Sequence, residues 1–581
     1  MTTAAITRAL FRGRTWPRWT DVVVFAFAVA LFYGVLAVGR TWFAPFTPVT
    51  RISRSPRSLP FYAAYSLVRI AVAYALSLFF AVSYGYLAAY WTRAERFLIA
   101  ALDVLQSLPV LSFLPGVMLA FIALFPHSRF GLELGSIVLI FTGQAWNIAF
   151  SFYSSLKSIP QEMRETACIY RLGRWQRFTQ LELPYSAIGL VWNSMMSVAG
   201  AWFFLMACEM FFLGDRDFRL PGLGSYLQIA ASAGDTPAII WGLAAMISVI
   251  VLLDQLVWRP LIAWADKFKF EQVESASVPR SAVLDALHRS RAVAFLGRKV
   301  VQPLNERFTL ALARRDFAAA AAPKQSSAAS AVWLRTIGIA FAAVAAAAAL
   351  YGLARAGILL SHLNRADLIE LGRGAAATFL RVNVALVIAA LWAVPAGVAV
   401  GLSPRLARIA QPLAEIAASV PATALFPVLL LILFRFGGGM NLAALLLMLL
   451  GTQWYILFNV IAGAMAIPTD LKEASSIFRF PRWERWRRLI LPGIFPFLVT
   501  GLLTAAGGAW NASIVAEYFR FQKQVHMTTG LGATISRATD QGNFTLLLAA
   551  TILMAAMVVV INRFVWQRLY RLAETRFKLE S

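Results

Sequence analysis

Residues 441–467 read NLAALLLMLLGTQWYILFNVIAGAMAI, 27 consecutive positions without an Asp, Glu, Lys or Arg. A lipid interior offers no partner for backbone N–H and C=O groups, so a lone segment crosses it only as a helix, which satisfies those groups within itself. Comparable runs lie at 21–38 and 136–156, and hydrophobic residues make up 60% of the chain against 14% charged. A water-soluble protein of 581 residues needs a far more charged surface. The expectation is an all-α polytopic membrane protein. The run at 21–38 has basic flanks and no small-residue cleavage pattern, so it reads as a span and not as a cleaved leader.

Twelve spans are expected, near 21–38, 62–90, 105–125, 134–156, 186–212 and 237–258, then near 333–354, 375–402, 413–435, 441–467, 494–518 and 545–565. Between the two sets, residues 260–331 are polar and basic and read as a cytoplasmic linker. The middle of that linker, 281–308, has the spacing of a helix lying on the membrane surface.

The net charge of +25 is distributed over the short loops. Arg8, Arg12, Arg14 and Arg18 precede the first span, Arg93 and Arg96 follow the second, and Arg563, Arg568, Arg571, Arg576 and Lys578 follow the twelfth. Retention of basic residues on the cytoplasmic side places all of these, and both termini, inside. Arg40, Arg51, Arg54 and Arg57 break the rule by falling outside. Basic residues spread between spans do not make a nucleic-acid module. Cys168 and Cys208 lie about a membrane thickness apart and act as small apolar residues, not as a disulfide.

The chain is written twice. ETACIYRLGRWQRFTQLELP (165–184) and EASSIFRFPRWERWRRLILP (473–492) agree at nine positions without a gap, an offset of 308 residues. The same offset pairs GAWFFLMACE (200–209) with GAWNASIVAE (508–517) and the GLG at 222–224 with that at 530–532. Upstream the offset is 312, pairing SLPVLSFLP (107–115) with SVPATALFP (419–427) and Arg69 with Arg381. A parallel duplication implies two similar six-helix bundles about a pseudo-two-fold axis along the membrane normal, here 1–259 and 332–581.

Each charged sentence follows the fourth span of its half, on the inner side, within loops at 160–184 and 468–492. It reads as a short helix with Ile169 and Leu172, or Ile477 and Phe480, on one face. A break at Gly173 or Pro481 follows, then a second helix leading into Pro184 or Pro492. A helix projecting from a membrane domain fills a groove on a soluble partner. Trp175 and Trp483 suit interface anchors, and the neighbouring arginines supply charge complementarity.

A Glu followed nineteen residues later by the Pro of Leu-Pro resembles the EAA loop of binding-protein-dependent ABC importer permeases. Pro109-x5-Pro115, the Ala-Trp to Ala-Glu segment of span five and the GLG after it resemble the nitrate, sulfonate, taurine and bicarbonate branch. The resemblance covers both halves and is that of a fused, duplicated permease. It implies the type I importer transmembrane fold, a small-anion substrate and alternating access. It also implies two copies of a separate ATP-binding subunit, a periplasmic or lipoprotein substrate-binding protein, and a place in a bacterial inner membrane. The residues it assigns to ATPase coupling are Glu165, Ala167, Arg171, Gly173, Trp175 and Pro184, and Glu473, Ala474, Arg479, Pro481, Trp483 and Pro492. Arg171 and Arg479 stand where the family has glycine, so the break is expected two residues later, at Gly173 and Pro481.

No Gly-x4-Gly-Lys-Ser/Thr occurs, so ATP and Mg belong to the partner subunits and this chain is expected to hold no cofactor and to catalyse nothing. No cluster with metal-ligand spacing is written. Arg69, Glu209, Arg381 and Glu517 lie inside spans, where charge is costly, and their repetition suggests an Arg–Glu pair in each half. Such a pair is either structural or part of a translocation path or gate. Trp202 and Trp510 recur beside them as packing or path residues, and Pro109, Pro115, Pro421 and Pro427 break or kink the third and ninth spans. An ion-coupled carrier of six plus six helices is the rival reading, but it does not account for charged paired helices after spans four and ten. An intramembrane lipid transferase requires acidic metal motifs that are not written.

Overall fold

A computed structural model of the chain describes residues 52–268 except 108, 127, 214 and 215, residues 282–289, isolated positions between 295 and 347, and residues 350–576 except 522 and 523. The expected first span, most of the seventh, Arg40, Arg51 and most of the linker lie outside the described residues.

The described residues of the first repeat form eight helices: α1 (Leu59–Tyr90), α2 (Thr92–Ser107), α3 (Leu114–Leu124), α4 (Phe130–Lys157), α5 (Gln161–Ile169), α6 (Arg174–Glu209), α7 (Leu223–Ser232) and α8 (Thr236–Phe268). The second repeat matches them one for one: α9 (Arg365–Leu402), α10 (Pro404–Ser419), α11 (Ala422–Arg435), α12 (Met440–Ala466), α13 (Thr469–Ile477), α14 (Arg482–Ala516), α15 (Leu531–Gln541) and α16 (Phe544–Ala573). A two-stranded hairpin follows α6 (β1 Phe212–Leu213, β2 Arg216–Asp217) and another follows α14 (β3 Tyr518–Phe521, β4 Gln524–Met527). Of the described helices, α1, α4, α6, α8, α9, α12, α14 and α16 are long and apolar enough to cross a membrane. Even local irregularities repeat. One π-helical turn lies early in α6 (Phe178–Glu182) and in α14 (Trp486–Ile490), and another lies late in α8 (Asp254–Trp258) and in α16 (Asn562–Trp566).

The third span of each half, expected near 105–125 and 413–435 with prolines that break or kink it, is broken at the first of them. The chain leaves α2 before Pro109 and α10 before Pro421, and both prolines take extended backbone angles. Crowding by a proline ring drives the preceding residue out of the α region. What remains is a 14-residue α11 and an 11-residue α3 with a 3₁₀ turn before it. At 1.5 Å per residue these are roughly 21 and 17 Å long, short of a ~30 Å hydrocarbon core. The backbone freed by the first break is satisfied by the other repeat. Asn511 of α14 accepts the Leu111 N–H at 3.3 Å, and Thr551 of α16 donates to the Ser112 carbonyl at 3.4 Å.

Small residues set the helix contacts. A side chain at Gly397 of α9 would sit 2.8 Å from Val460, and one at Gly501 of α14 would sit 3.1 Å from the Tyr455 carbonyl, both on α12. Without a hydrophobic force between helices in lipid, such close backbone approach supplies much of the attraction. The chain packs as two compact units that cut across the repeat. One is built on Ser151–Met195 and the described part of Leu252–Phe341. The other is built on the described parts of Trp42–Phe150, Met196–Val251 and Ala342–Ser581.

Candidate functional site

Both charged sentences fold alike. Pro160 and Pro468 stand at the N-caps of α5 and α13, where an extended φ near −55° starts the helix. An acidic residue follows in each first turn, Glu162 or Asp470, where it complements the helix dipole. Ala167 and Ser475 are the buried positions, while Glu165 and Glu473 are exposed; Gln161 donates to Glu165 at 3.0 Å.

Each helix ends in a Schellman motif. The Leu172 N–H bonds the Ala167 carbonyl and the Arg171 N–H bonds that of Cys168, both at 3.0 Å. Phe480 to Ser475 and Arg479 to Ser476 repeat these bonds at 3.0 Å. The left-handed residue such a motif requires is Arg171 in one copy and Arg479 in the other, each at φ +50°. The expected break at Gly173 and Pro481 is therefore corrected: the turn stays at the arginines. Gly173 and Pro481 have φ near −60° and act as N-caps of α6 and α14. The Gly173 N–H is accepted by Gln176 at 3.0 Å. Pro184 and Pro492 follow the π-helical turns at the second position of the long apolar segment.

The loops present an apolar tip that sequence reading caught only in part. Ile169 and Tyr170 are 79% and 74% exposed, and Ile477 and Phe478 are 75% and 74% exposed. Trp175 is half-buried, 5.7 Å from the Phe178 ring, whereas Trp483 is 72% exposed. The two anchor positions thus differ. Beside the first tip a groove of about 750 Å³ is lined by Lys157, Arg164, Glu165, Cys168 and Ile169. Ala474 is half-buried in the second loop.

The intramembrane charges form one cluster per repeat, each within the second unit. Arg69 is fully buried in α1 and forms a bidentate pair with Glu133 of α4 (2.5 and 2.7 Å). It also donates to Glu209 of α6 (2.7 Å) and to the Pro221 carbonyl (2.8 Å). Glu209 further accepts from Ser66 and from the Gly224 N–H, both at 2.7 Å, and the Leu223 N–H bonds Ser66 at 3.0 Å. The second cluster is built the same way. Arg381 pairs with Glu517 and donates to Asn441 and the Thr529 carbonyl at 3.1 Å. Thr378 holds Glu517 at 2.8 Å, and Glu517 accepts from the Gly532 N–H at 2.9 Å.

This arrangement explains the GLG. A Cβ at Gly222 would overlap the Glu209 carboxyl, and one at Gly530 would overlap that of Glu517. The glycines let the start of α7 and α15 close on a carboxylate that consumes its free N–H groups. Glu133, Ser66 and Thr378 were missed from the sequence, though a signal exists. Ser66 and Thr378 are hydroxyls three residues before each arginine, and Glu133 falls on Asn441 at the 308 offset. Trp202 and Trp510 are 1% and 2% exposed, at packing positions within α6 and α14. Among the described residues no group of His, Cys, Asp and Glu is arranged to hold a metal ion.

Residues 73–257 and 390–578, together well over half the chain, match the family described as binding-protein-dependent transport system inner membrane component. Similar proteins include a nitrate import permease protein of Leptolyngbya laminosa, 26% identical over 190 residues, which are 33% of this chain and 64% of that one. A bicarbonate transport system permease protein of Synechococcus elongatus is 28% identical over 189 residues, 32% of this chain and 65% of its own length. A taurine transport system permease protein of Escherichia coli is 30% identical over 185 residues, 32% and 62%. The match thus spans slightly less than two thirds of each relative and about one third of this chain.

Proposed function

The chain belongs to the family of binding-protein-dependent transport system inner membrane components, and from that membership we propose that it is the fused permease of an ATP-driven importer for a small anionic or zwitterionic solute. One polypeptide supplies both permease domains, and alternating access arises between its two repeats. Two copies of a separate ATPase, holding ATP and Mg, dock on the two loops, and a periplasmic or lipoprotein binding protein delivers the solute. The chain lies in a bacterial inner membrane with both termini cytoplasmic and catalyses no reaction itself.

The observation that carries this reading is the paired loop. An exposed Ile-Tyr or Ile-Phe tip, set by an identical Schellman turn in each repeat, is a surface that pays a solvation penalty until a partner covers it. Each tip continues covalently into a membrane-spanning helix, α6 or α14. Motion imposed on the loop is therefore passed to a span. Arg69 of α1 and Arg381 of α9 enter this reading as rivets on Glu209 and Glu517, at the ends of α6 and α14 away from the loops. They hold the GLG segments so that α6 and α14 move with their attached α7 and α15, and in that sense they frame the gate.

The test is reconstitution with the ATPase. Tyr170→Asp and Phe478→Asp are each expected to weaken assembly by about 1–3 kcal/mol, the range for a buried aromatic anchor, while membrane insertion is unchanged. ATP hydrolysis by the purified chain alone overturns the reading. So does solute uptake abolished by an ionophore and indifferent to ATP, which is the behaviour of an ion-coupled carrier.

A further inference from the structure

The side chain of Tyr455, on α12, lies in a seam between α6 of the first repeat and α14 of the second, within the second unit. A Cβ added at Gly508 of α14 would meet the edge of its ring at 3.5 Å. One added at Gly200 of α6 would meet its hydroxyl at 3.7 Å and nothing else within 4 Å, and one at Gly507 would meet nothing within 4 Å. The glycines thus leave room beside the hydroxyl. Tyr455 is half-buried, and among the described residues its hydroxyl makes no hydrogen bond. A phenol O–H inside a membrane protein usually finds a partner, and one without is tolerated where water or a solute reaches it.

The two walls of the seam differ. Thr500, Thr504, Gly507 and Asn511 of α14 recur at i, i+4, i+7 and i+11 and so share one face. That face is turned to the first repeat, since Asn511 accepts the Leu111 N–H. Thr500 and Thr504 donate to carbonyls one turn back, both at 3.0 Å. Asn511 donates one of its two N–H groups to the Gly507 carbonyl at 3.1 Å, which leaves the other. At the 308 offset the same positions of α6 are Trp192, Met196, Ala199 and Phe203, all apolar. Met196 and Phe203, four before and three after Gly200, are its neighbours on the helix surface; Met196 is exposed and Phe203 half-buried. The counterpart of Tyr455 is Asn147, whose amide oxygen already accepts from Gln106 at 3.2 Å. One wall therefore offers donors, from Tyr455 and Asn511, the other offers apolar surface, and none of these residues is charged. An inorganic anion there gives up a full shell of water for two donors and no cation, which is unfavourable. An anion with an apolar body has less water to lose and sets that body against Met196 and Phe203.

We propose that this seam is a solute site in which the Tyr455 hydroxyl donates to an oxygen of the solute, and that the solute is an organic anion with an apolar body and not a wholly hydrophilic ion such as nitrate. The solute class rests on the importer reading, but the site is tested without the ATPase.

The full-length Cys168→Ser chain, whose other native thiol, Cys208, is buried, is placed in lipid nanodiscs. Thr504→Cys and, at an exposed position of α16, Ile552→Cys are treated with a negatively charged, membrane-impermeant thiol reagent. Labelling is expected to be faster at 504 than at 552. Benzoate slows it, and nitrate at the same concentration does not. Adding Tyr455→Phe, which keeps the ring and removes only the hydroxyl, raises the benzoate concentration needed about tenfold, the loss of one hydrogen bond; a purely structural tyrosine would leave it unchanged. If Thr504→Cys folds poorly, Gly507→Cys takes its place, because a Cβ there meets nothing. Labelling no faster at 504 than at 552, no protection by benzoate, equal protection by nitrate, or Tyr455→Phe without effect each overturns the site. If the site fails while Tyr170→Asp and Phe478→Asp still weaken ATPase assembly, the importer reading stands. Failure of loop docking with the site intact removes the importer reading alone.

Discussion

Replacing Arg69 by Met should destabilise the protein more than replacing Arg381 by Met, although each arginine donates four side-chain hydrogen bonds. The difference lies in what is left behind. Arg69, 0% exposed, is shared by two carboxylates, Glu133 and Glu209, whose side chains are 4% and 0% exposed. Glu209 keeps Ser66 and the Gly224 N–H after the substitution, but the hydrogen bonds described for the Glu133 carboxylate are both to Arg69. In the second repeat the counterpart of Glu133 is the neutral Asn441, and Arg381 is 10% exposed. Glu517 also keeps Thr378 and the Gly532 N–H.

Removing one partner of a buried ion pair costs about 3–5 kcal/mol. Arg69→Met belongs at the top of that range and Arg381→Met at the bottom, a gap of about 2 kcal/mol or roughly 30-fold in an equilibrium constant. Adding Glu133→Gln to Arg69→Met should recover most of the gap, since it removes the stranded charge. Unfolding in mixed micelles with increasing denaturing detergent, followed by tryptophan fluorescence, measures all three variants against the parent. Equal loss in both repeats, or no recovery on adding Glu133→Gln, would refute the reasoning.

Arg171→Gly and Arg479→Gly should stabilise α5 and α13 locally by about 1 kcal/mol, because a left-handed conformation costs a side-chain-bearing residue about that much; hydrogen exchange over 161–169 and 469–477 reads the effect, and slower protection loss in Arg171→Val would contradict it. Gly222→Ala and Gly530→Ala should both fail to form the carboxylate-capped α7 and α15, seen as a loss of folded monomer on size exclusion, whereas Gly116→Ala, where a Cβ meets nothing within 4 Å, should behave as the parent. Asn511→Leu strands the Leu111 N–H and should cost about 1–3 kcal/mol of stability, while Asn511→Asp, which retains an acceptor for that N–H, should lose less; the same micelle titration compares them.

Much of the architecture is a local property of the sequence. Hydropathy over some twenty residues marks the long helices, because a span must satisfy its backbone within itself. Duplication marks what recurs: two loops after corresponding spans, two Arg–Glu pairs, two GLG segments. The pairings themselves join residues 64 and 140 positions apart in the first repeat. Arg69 with Glu209 was readable only because repetition singled both out. Glu133 stayed hidden because its counterpart is Asn441, so the comparison that exposed the others erased it.

Tertiary structure alone decided the rest. The break in the third span becomes tolerable through Asn511, 400 residues from the N–H it satisfies. The left-handed turn at Arg171 and Arg479 is local, by contrast: two backbone bonds within five residues fix each helix end and outweigh a cost of about 1 kcal/mol, although an arginine side chain gives no sign of it in the sequence. The pocket lined by Leu111, Phe211, Phe519 and Ile535 takes its walls from helices of both repeats that no local pattern links. Periodicity reports which face of a helix avoids water, whereas the partner that face meets depends on where distant segments are brought together.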